Sequence, residues 1–276
     1  MRHFPKYPPL GIRWTIGDVS DAGYEALRLS IRSAWNLFGG CARYTVCVNT
    51  VPLKSAKERA QELPCDVNWI EVRPVIPAWL RAHLSPEMAE GVAWKLLPVR
   101  LFPDLHELSL DNDVILWAIP GAMREWLLSD DPGACLMAGD VQPALGQFGA
   151  TCNYRSLNSG IRGLPPGFEM EERLQGMLLE TGITLQSELD EQGLQAAVLL
   201  QTRLYVVSTE DVSICSPFPN HQHTLGTCGA HFVGLNPKRL PWNLNGRGAH
   251  ELIRARWQQY APELARLSHS GPVAIF

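Results

Sequence analysis

The run Leu108-Ser109-Leu110-Asp111-Asn112-Asp113-Val114-Ile115-Leu116 sets two carboxylates into an apolar stretch. A strand that buries its leucines, valine and isoleucine does not carry two ionised groups unless something offsets their desolvation. Two like charges two residues apart also repel unless a cation sits between them. Hard oxygen ligands of this kind suit a divalent cation such as Mg²⁺ or Mn²⁺ at a strand end. The same residues also suit a tight turn after a strand, where Asp and Asn are common. An Asp-x-Asp pattern alone does not choose between the two.

The elements that must position this pair are legible in the apolar spacing. Residues 12–16 form a β-type run, and the polar stretch 17–23 leads into a helix predicted from Tyr24 to about Asn36. That helix has Leu27, Ile31, Ala34 and Trp35 at helical spacing. Further strands are predicted at 43–49, 68–72, 107–111, 134–138 and 204–207, and one more within 146–161. Helices are predicted at 54–62, 86–100, 120–128, 169–181 and 250–267. Ser187, with Asp190 three residues on, reads as a capping box opening a helix over 188–201. Strands alternating with helices in the first half predict an α/β sheet with helices on both faces. Such sheets bind ligands beyond the carboxyl ends of their strands. Segments 17–24 and 111–113 both fall there.

The bulk properties narrow the function classes. The 276 residues fit one large domain or two small ones, and 46% hydrophobic content is enough for a proper core. A formal charge of −4 argues against a nucleic-acid binder working through a broad basic surface. No run of about 20 apolar residues predicts a transmembrane helix, and the first residues lack the apolar core of a signal peptide. Cysteines 41, 47, 65, 135, 152, 215 and 228 are scattered, odd in number and without a C-x-x-C pair. They read as reduced thiols, and the expected location is cytoplasmic.

Four blocks carry a further signal through their order. The first is TIGDVSDAGYEALRLSIRSAW, 15–35. The second is WKLLPVRLFPDLHELSLDNDVIL, 94–116. The third is the tripeptide Asn158-Ser159-Gly160, preceded by Asp140 and followed by DEQG at 190–193. The fourth is HFVGLNPKRLPWN, 231–243. Together they resemble the GT-A fold sugar-nucleotide transferases. More narrowly, they resemble the retaining family 8, which holds glycogenin and the bacterial lipopolysaccharide galactosyltransferases.

The resemblance implies a single GT-A-like domain over 1–276 with a mixed, mostly parallel central sheet flanked by helices. A nucleotide-binding half would span about 12–115, a donor-sugar and acceptor half about 116–245, and a C-terminal helix 250–267. It implies a metal-dependent hexosyltransferase moving a sugar from a nucleotide-diphosphate donor, UDP-sugar by preference, to a glycan, lipid-linked sugar or protein. It gives Asp18 and Tyr24 to the uridine, Lys95 to the phosphates and Asn112 to the middle of the DXD motif. Asp111, Asp113 and His231 become the metal ligands. With an imidazole among them, Mn²⁺ is favoured over Mg²⁺. Asp140, Asn158, Ser159 and Gly160 line the donor sugar and the acceptor-side floor. Gly234 lets the backbone approach the diphosphate, Lys238 neutralises it, and Trp242 closes the motif.

Two departures stand out. Lys238 lies one residue farther from His231 than in the family, with Arg239 and Leu240 interposed before Pro241 and Trp242. The family's D-Q-G reads here as Glu191-Gln192-Gly193, or with a shift of one onto Asp190. Gln192, Glu191 and Asp190 are therefore the catalytic candidates, with Asp140. An amide is a poor nucleophile, so a front-face mechanism with assistance from the leaving phosphate is the default. If Glu191 faces the sugar, a covalent intermediate becomes conceivable.

Other chemistries compete. Cys215, His221, His223, Cys228 and His231 cluster within a short stretch and suggest a structural zinc, although the spacing fits no standard finger. A phosphoesterase or nucleotidyltransferase would use Asp18 or Asp21, but the turn lacks a Gly-rich phosphate loop. A non-catalytic sugar-nucleotide-binding relative is the third reading. Arg254, Arg256, Arg266 and Trp257 on the last helix could rest on an anionic membrane, although Glu251 and Glu263 dilute the charge.

Overall fold

The structure is a computed structural model that describes residues 8–72, 76–85, 95–238 and 243–269. Strand β1 (Leu10–Ile16) leads to helix α1 (Asp21–Phe38). The helix starts earlier than the apolar spacing alone predicts, because the Ser20 hydroxyl caps it by accepting from Gly23 N at 3.0 Å. Asp21 in the first turn complements the helix dipole. Strand β2 (Ala42–Val48), helix α2 (Leu53–Ala60) and strand β3 (Asn68–Glu71) extend the parallel sheet on one side of β1. A short helix α3 (Ala78–Arg81) follows. Residues 86–94, most of the predicted helix 86–100, lie outside the described residues, and Lys95 and Leu96 are helical.

Strand β4 (His106–Leu110) pairs parallel to β1, with Trp14 opposite Leu110. The chain then turns through Asp111-Asn112-Asp113 and begins β5 (Val114–Leu116), which belongs to a different sheet. The acidic pair therefore occupies the corner between two sheets. Helix α4 (Gly121–Leu127), strand β6 (Cys135–Gly139), strand β7 (Leu157–Leu164), helix α5 (Met170–Thr181), helix α6 (Glu188–Leu199) and strand β8 (Leu204–Val207) follow. The described residues make a seven-stranded sheet in the order β3-β2-β1-β4-β7-β6-β8, in which β7 alone runs antiparallel to its neighbours. The capping box read from Ser187 and Asp190 is present at the start of α6.

The second sheet pairs β5 antiparallel with β10 (Gly229–His231), and β10 parallel with β9 (Val212–Ile214). A two-stranded ribbon of β11 (Asn243–Leu244) and β12 (Arg247–Gly248) precedes helix α7 (Ala249–His269). No helix among the described residues is long and apolar enough to cross a membrane. On α7, Trp257 is buried and donates to Glu25 Oε2 at 2.7 Å, so this face packs on α1.

Two apolar layers clamp the main sheet. Trp14, Ile12, Leu27, Ile31, Val46, Leu108, Leu110 and Trp126 fill the α1 side, and Phe148, Leu164, Leu174, Leu194 and Val198 fill the α6 side. Each fully buried Leu or Ile contributes roughly 1.5–3 kcal/mol. That clamping fixes the strand ends from which the site is built.

Candidate functional site

Strand pairing brings the first and last predicted ligands together across more than a hundred residues. In the second sheet His231 stands opposite Val114, next to Asp113. Phe232 N donates to the Asp113 carbonyl at 3.0 Å, and Asp111 N donates to Gly160 O on β7 at 2.8 Å. The corner is thus tied to both sheets. His231 Nε2 lies 3.3 Å from Asp113 Oδ1 and 3.8 Å from Asp111 Oδ2. One ligand atom from each of the three residues lies within 4.8 Å of the others, and no other described group does this.

The three residues fit a divalent cation. Asp113 Oδ1 and His231 Nδ1 are buried without a hydrogen-bond partner, a costly state for polar atoms that have nothing to bind. Two carboxylates and one imidazole leave coordination positions open, as expected for octahedral Mn²⁺ or Mg²⁺ rather than closed tetrahedral zinc. Electrostatics agree. Burial opposes the His231 imidazolium, but the Asp113 carboxylate 3.3 Å away, with Asp111 behind, outweighs it and raises its pKa. Burial likewise opposes the Asp111 charge, and Lys95 and His231 outweigh it, so Asp111 stays ionised.

Gly160 explains how the imidazole fits. A Cβ there would lie 2.5 Å from His231 Cε1 and 2.7 Å from Nδ1, closer than such atoms approach. Gly160→Ala should therefore push the ring off its seat. We expect about a tenfold to hundredfold loss of Mn²⁺ affinity by calorimetry, with an overpacking cost of roughly 1–3 kcal/mol.

The remaining predicted residues fall into three places. On the corner itself, Lys95 Nζ reaches Asp111 Oδ2 at 3.1 Å. Burial opposes its charge, but Asp111, Glu191 and Asp113 raise its pKa above the ordinary lysine value. The Asn112 side chain turns away. Its amide donates to Gly23 O at 3.0 Å and to Asn236 Oδ1 at 2.7 Å, and Asn236 returns a bond of 2.9 Å. Asn112 thereby laces the corner to α1 and to the loop after β10.

At the end of β1, Asp18 is exposed and pairs with Lys238 Nζ. That hydrogen bond holds its carboxyl below the usual range. Tyr24 is 1% exposed and donates to Gly17 O at 3.2 Å, so its ring belongs to the core. Arg59, absent from the sequence reading, lies over that ring at 4.0 Å and reaches Asp18, Asp21 and Val19 O. Gly234 has a φ of +87°, a conformation that favours glycine. Trp242 and Arg239 lie outside the described residues.

On the sheet floor, Asn158 donates to Asp140 Oδ2 at 2.9 Å and accepts from Gly160 N at 2.8 Å. Gln192 Oε1 accepts from Ser159 N at 2.9 Å, and its amide donates to Ala144 O at 2.8 Å. Asp190 accepts from the backbone of Gln186 and Ser187 through Oδ2 and of Gln147 through Oδ1, so its oxygens serve the start of α6 and the turn at Gln147. Glu191 is the carboxylate left facing inward. Burial, against the pull of Lys95, pushes it up to about 7. A carboxyl raised above its unfolded value contributes stability below that value and loses it as pH rises through the folded one. Glu191 should thus contribute a loss of stability between about pH 4.5 and 7, and Glu191→Gln should remove that contribution in urea unfolding.

The zinc reading finds no support among the described residues. Ser216 holds His221 Nδ1, Arg256 holds His223 Nδ1, and Cys228 faces Asp211.

No family model and no curated protein matches the chain in sequence. Solved structures share its fold. The galactosyltransferase LgtC, crystallised with donor and acceptor sugar analogs, superposes over 96% of this chain and 97% of that one. The TM-score is 0.57 at 13% identity. The bifunctional glycosyltransferase WbbM matches over 98% of this chain and 53% of its own length, with a TM-score of 0.55 at 14% identity. Mouse xyloside xylosyltransferase 1 matches over 83% and 98%, with a TM-score of 0.51 at 15% identity. The architecture is therefore the GT-A fold expected from the four sequence blocks.

Proposed function

We propose that the chain is a metal-dependent glycosyltransferase that moves a sugar from a nucleotide-diphosphate donor, UDP-sugar by preference, to a hydroxyl acceptor with retention of configuration. The observation that carries this reading is the convergence of Asp111, Asp113 and His231, with Lys95 against Asp111, at the strand ends of a GT-A fold. The solved structures of this fold named above are glycosyltransferases.

Asp111, Asp113 and His231 would hold Mn²⁺ or Mg²⁺. The bound ion supplies charge stabilisation for the leaving diphosphate. Lys95 adds a fixed positive charge beside it. Lys238, now paired with Asp18, offers a second one that a phosphate would draw away. Arg59 and Asp18 at the end of β1 supply donors and acceptors for the nucleoside. Asp140 and Asn158 present an oxygen and an amide to sugar hydroxyls. The Gln192 amide is held at both ends and is a poor nucleophile. This supports front-face transfer: the acceptor oxygen bonds to the anomeric carbon as the diphosphate leaves, and the acceptor proton passes to a phosphate oxygen. The scattered reduced cysteines fit a cytoplasmic setting.

The phosphoesterase and nucleotidyltransferase readings need a free nucleophilic aspartate or a Gly-rich phosphate loop near β1, and the stretch 17–23 is not Gly-rich. Asp18 is paired with Lys238 and Arg59, and Asp21 with Arg59. A thermal-shift screen of UDP-, GDP- and other nucleotide sugars tests the proposal. UDP-sugars should raise the melting temperature with Mn²⁺ present and not with chelator. No shift with any nucleotide in Mn²⁺ contradicts the proposal. Binding without turnover of any donor would identify a non-catalytic relative.

A further inference from the structure

The sheet face covered by α6 is charged at its centre. Arg13 of β1, Glu107 of β4 and Arg162 of β7 are each exposed by 3% or less. Arg13 Nη1 lies 3.6 Å and Arg162 Nη2 3.9 Å from Glu107 Oε1, and Arg100 Nε lies 3.9 Å from Oε2. Glu107 Oε2 also accepts from the backbone of Leu101 and Phe102 at 2.7 Å. A carboxylate shared by three guanidinium groups leaves positive charge in a buried place, and such charge calls for further partners.

The partners run toward the site. Arg162 Nη1 donates to Gln195 Oε1 at 2.6 Å. Gln195 Nε2 donates to Glu191 Oε1, one turn back on α6. The chain ends there: Glu191 Oε2 is buried without a hydrogen-bond partner. It lies in the field of Lys95 and Asp111, next to the Gln192 amide that is fixed to Ser159. Gln195 has used its oxygen on Arg162, so it can only donate to Glu191. That pins one carboxyl oxygen and orients the other.

We propose that Arg162 and Gln195 are positioning residues that fix Glu191 through Oε1, so that Oε2 serves as the acceptor for a hydroxyl of the donor sugar. The inference rests on the proposed function and adds to it a buried polar layer that reads the sugar rather than the nucleotide. Arg162 and Gln195 do so without meeting the substrate. An apolar side chain at either position would leave Glu191 free to rotate and the sugar hydroxyl unpaired.

The test is a double-mutant cycle read by calorimetry in Mn²⁺, with UDP and with the UDP-sugar that stabilises the chain most. Gln195→Leu should weaken the UDP-sugar about tenfold and leave UDP within about twofold. In a Glu191→Gln background, the same change should weaken the UDP-sugar by less than about twofold further. Arg162→Met should behave as Gln195→Leu does. Gln195→Met, nearer in shape, replaces the Leu variant if that variant does not fold. Equal losses for UDP and UDP-sugar, or equal losses in both backgrounds, overturn the inference and leave the proposed function standing. Failure of the unaltered chain to bind UDP in Mn²⁺ overturns the proposed function, and this inference with it.

Discussion

Asp113→Asn should abolish metal-dependent nucleotide binding while the fold stands. Asn keeps the size of Asp and removes its charge. The backbone link that seats residue 113, from Phe232 N to its carbonyl, is untouched. Asp113 is 3% exposed, and its Oδ1 has no hydrogen bond to lose. In the metal-free chain the substitution relieves a repulsion with Asp111 but removes the countercharge 3.3 Å from His231 Nε2, so the melting temperature should change little. With metal the balance reverses. Loss of one anionic ligand removes several kcal/mol of binding to the ion, and each 1.4 kcal/mol is about tenfold. We expect Mn²⁺ and Mn²⁺-dependent UDP affinity to fall by about two orders of magnitude or more, measured by calorimetry. Unfolding of the variant would make Asp113 a structural residue instead.

The second large effect concerns stability. Glu107→Gln should cost about 3–5 kcal/mol, because it leaves Arg13, Arg100 and Arg162 without their shared buried countercharge. The Gln carbonyl oxygen, placed at Oε2, can keep both backbone bonds from Leu101 and Phe102, but not the charge, and its amide nitrogen then faces the arginines. For a chain of this size the cost corresponds to a melting-temperature loss of roughly 6–20 °C. Urea unfolding at neutral pH measures it. A change below about 1 kcal/mol would mean that the arginines are satisfied by carbonyls alone. Arg100 does have such partners in Phe102, Leu105, Pro165 and Phe168.

These two residues mark what the sequence could and could not reveal. The acidic pair was legible because charge inside an apolar run is costly wherever it occurs, and four short blocks in order supplied the rest. The Ser187–Asp190 cap and the strand at 204–207 were legible because their signals are local. Glu107 was not. In His106-Glu107-Leu108-Ser109-Leu110, as in Ile12-Arg13-Trp14, alternation reads as one wet face and one dry face. Here both faces are covered, and the charges meet their partners only across strands distant in sequence. Arg59 escaped for a related reason: its stacking on Tyr24 depends on how α2 meets α1. Strand β5 was hidden because its apolar residues continue those of β4, and only the change of sheet at the corner separates them. Asn112 matched the family's middle position by letter, while its bonding to Asn236 depends on a loop more than a hundred residues away. Glu191 and Asp190 could not be told apart by spacing, but the capping box engages Asp190 and leaves Glu191 facing inward.

Proton NMR of UDP-sugar turnover tests the central claim most directly. The chain is incubated with Mn²⁺ and the donor that stabilises it, and the anomeric signal of the sugar first released is followed before mutarotation. The account predicts release that requires Mn²⁺, stops with chelator and keeps the donor's anomeric configuration. Turnover that continues unchanged in chelator, or a released sugar of inverted configuration, would contradict it.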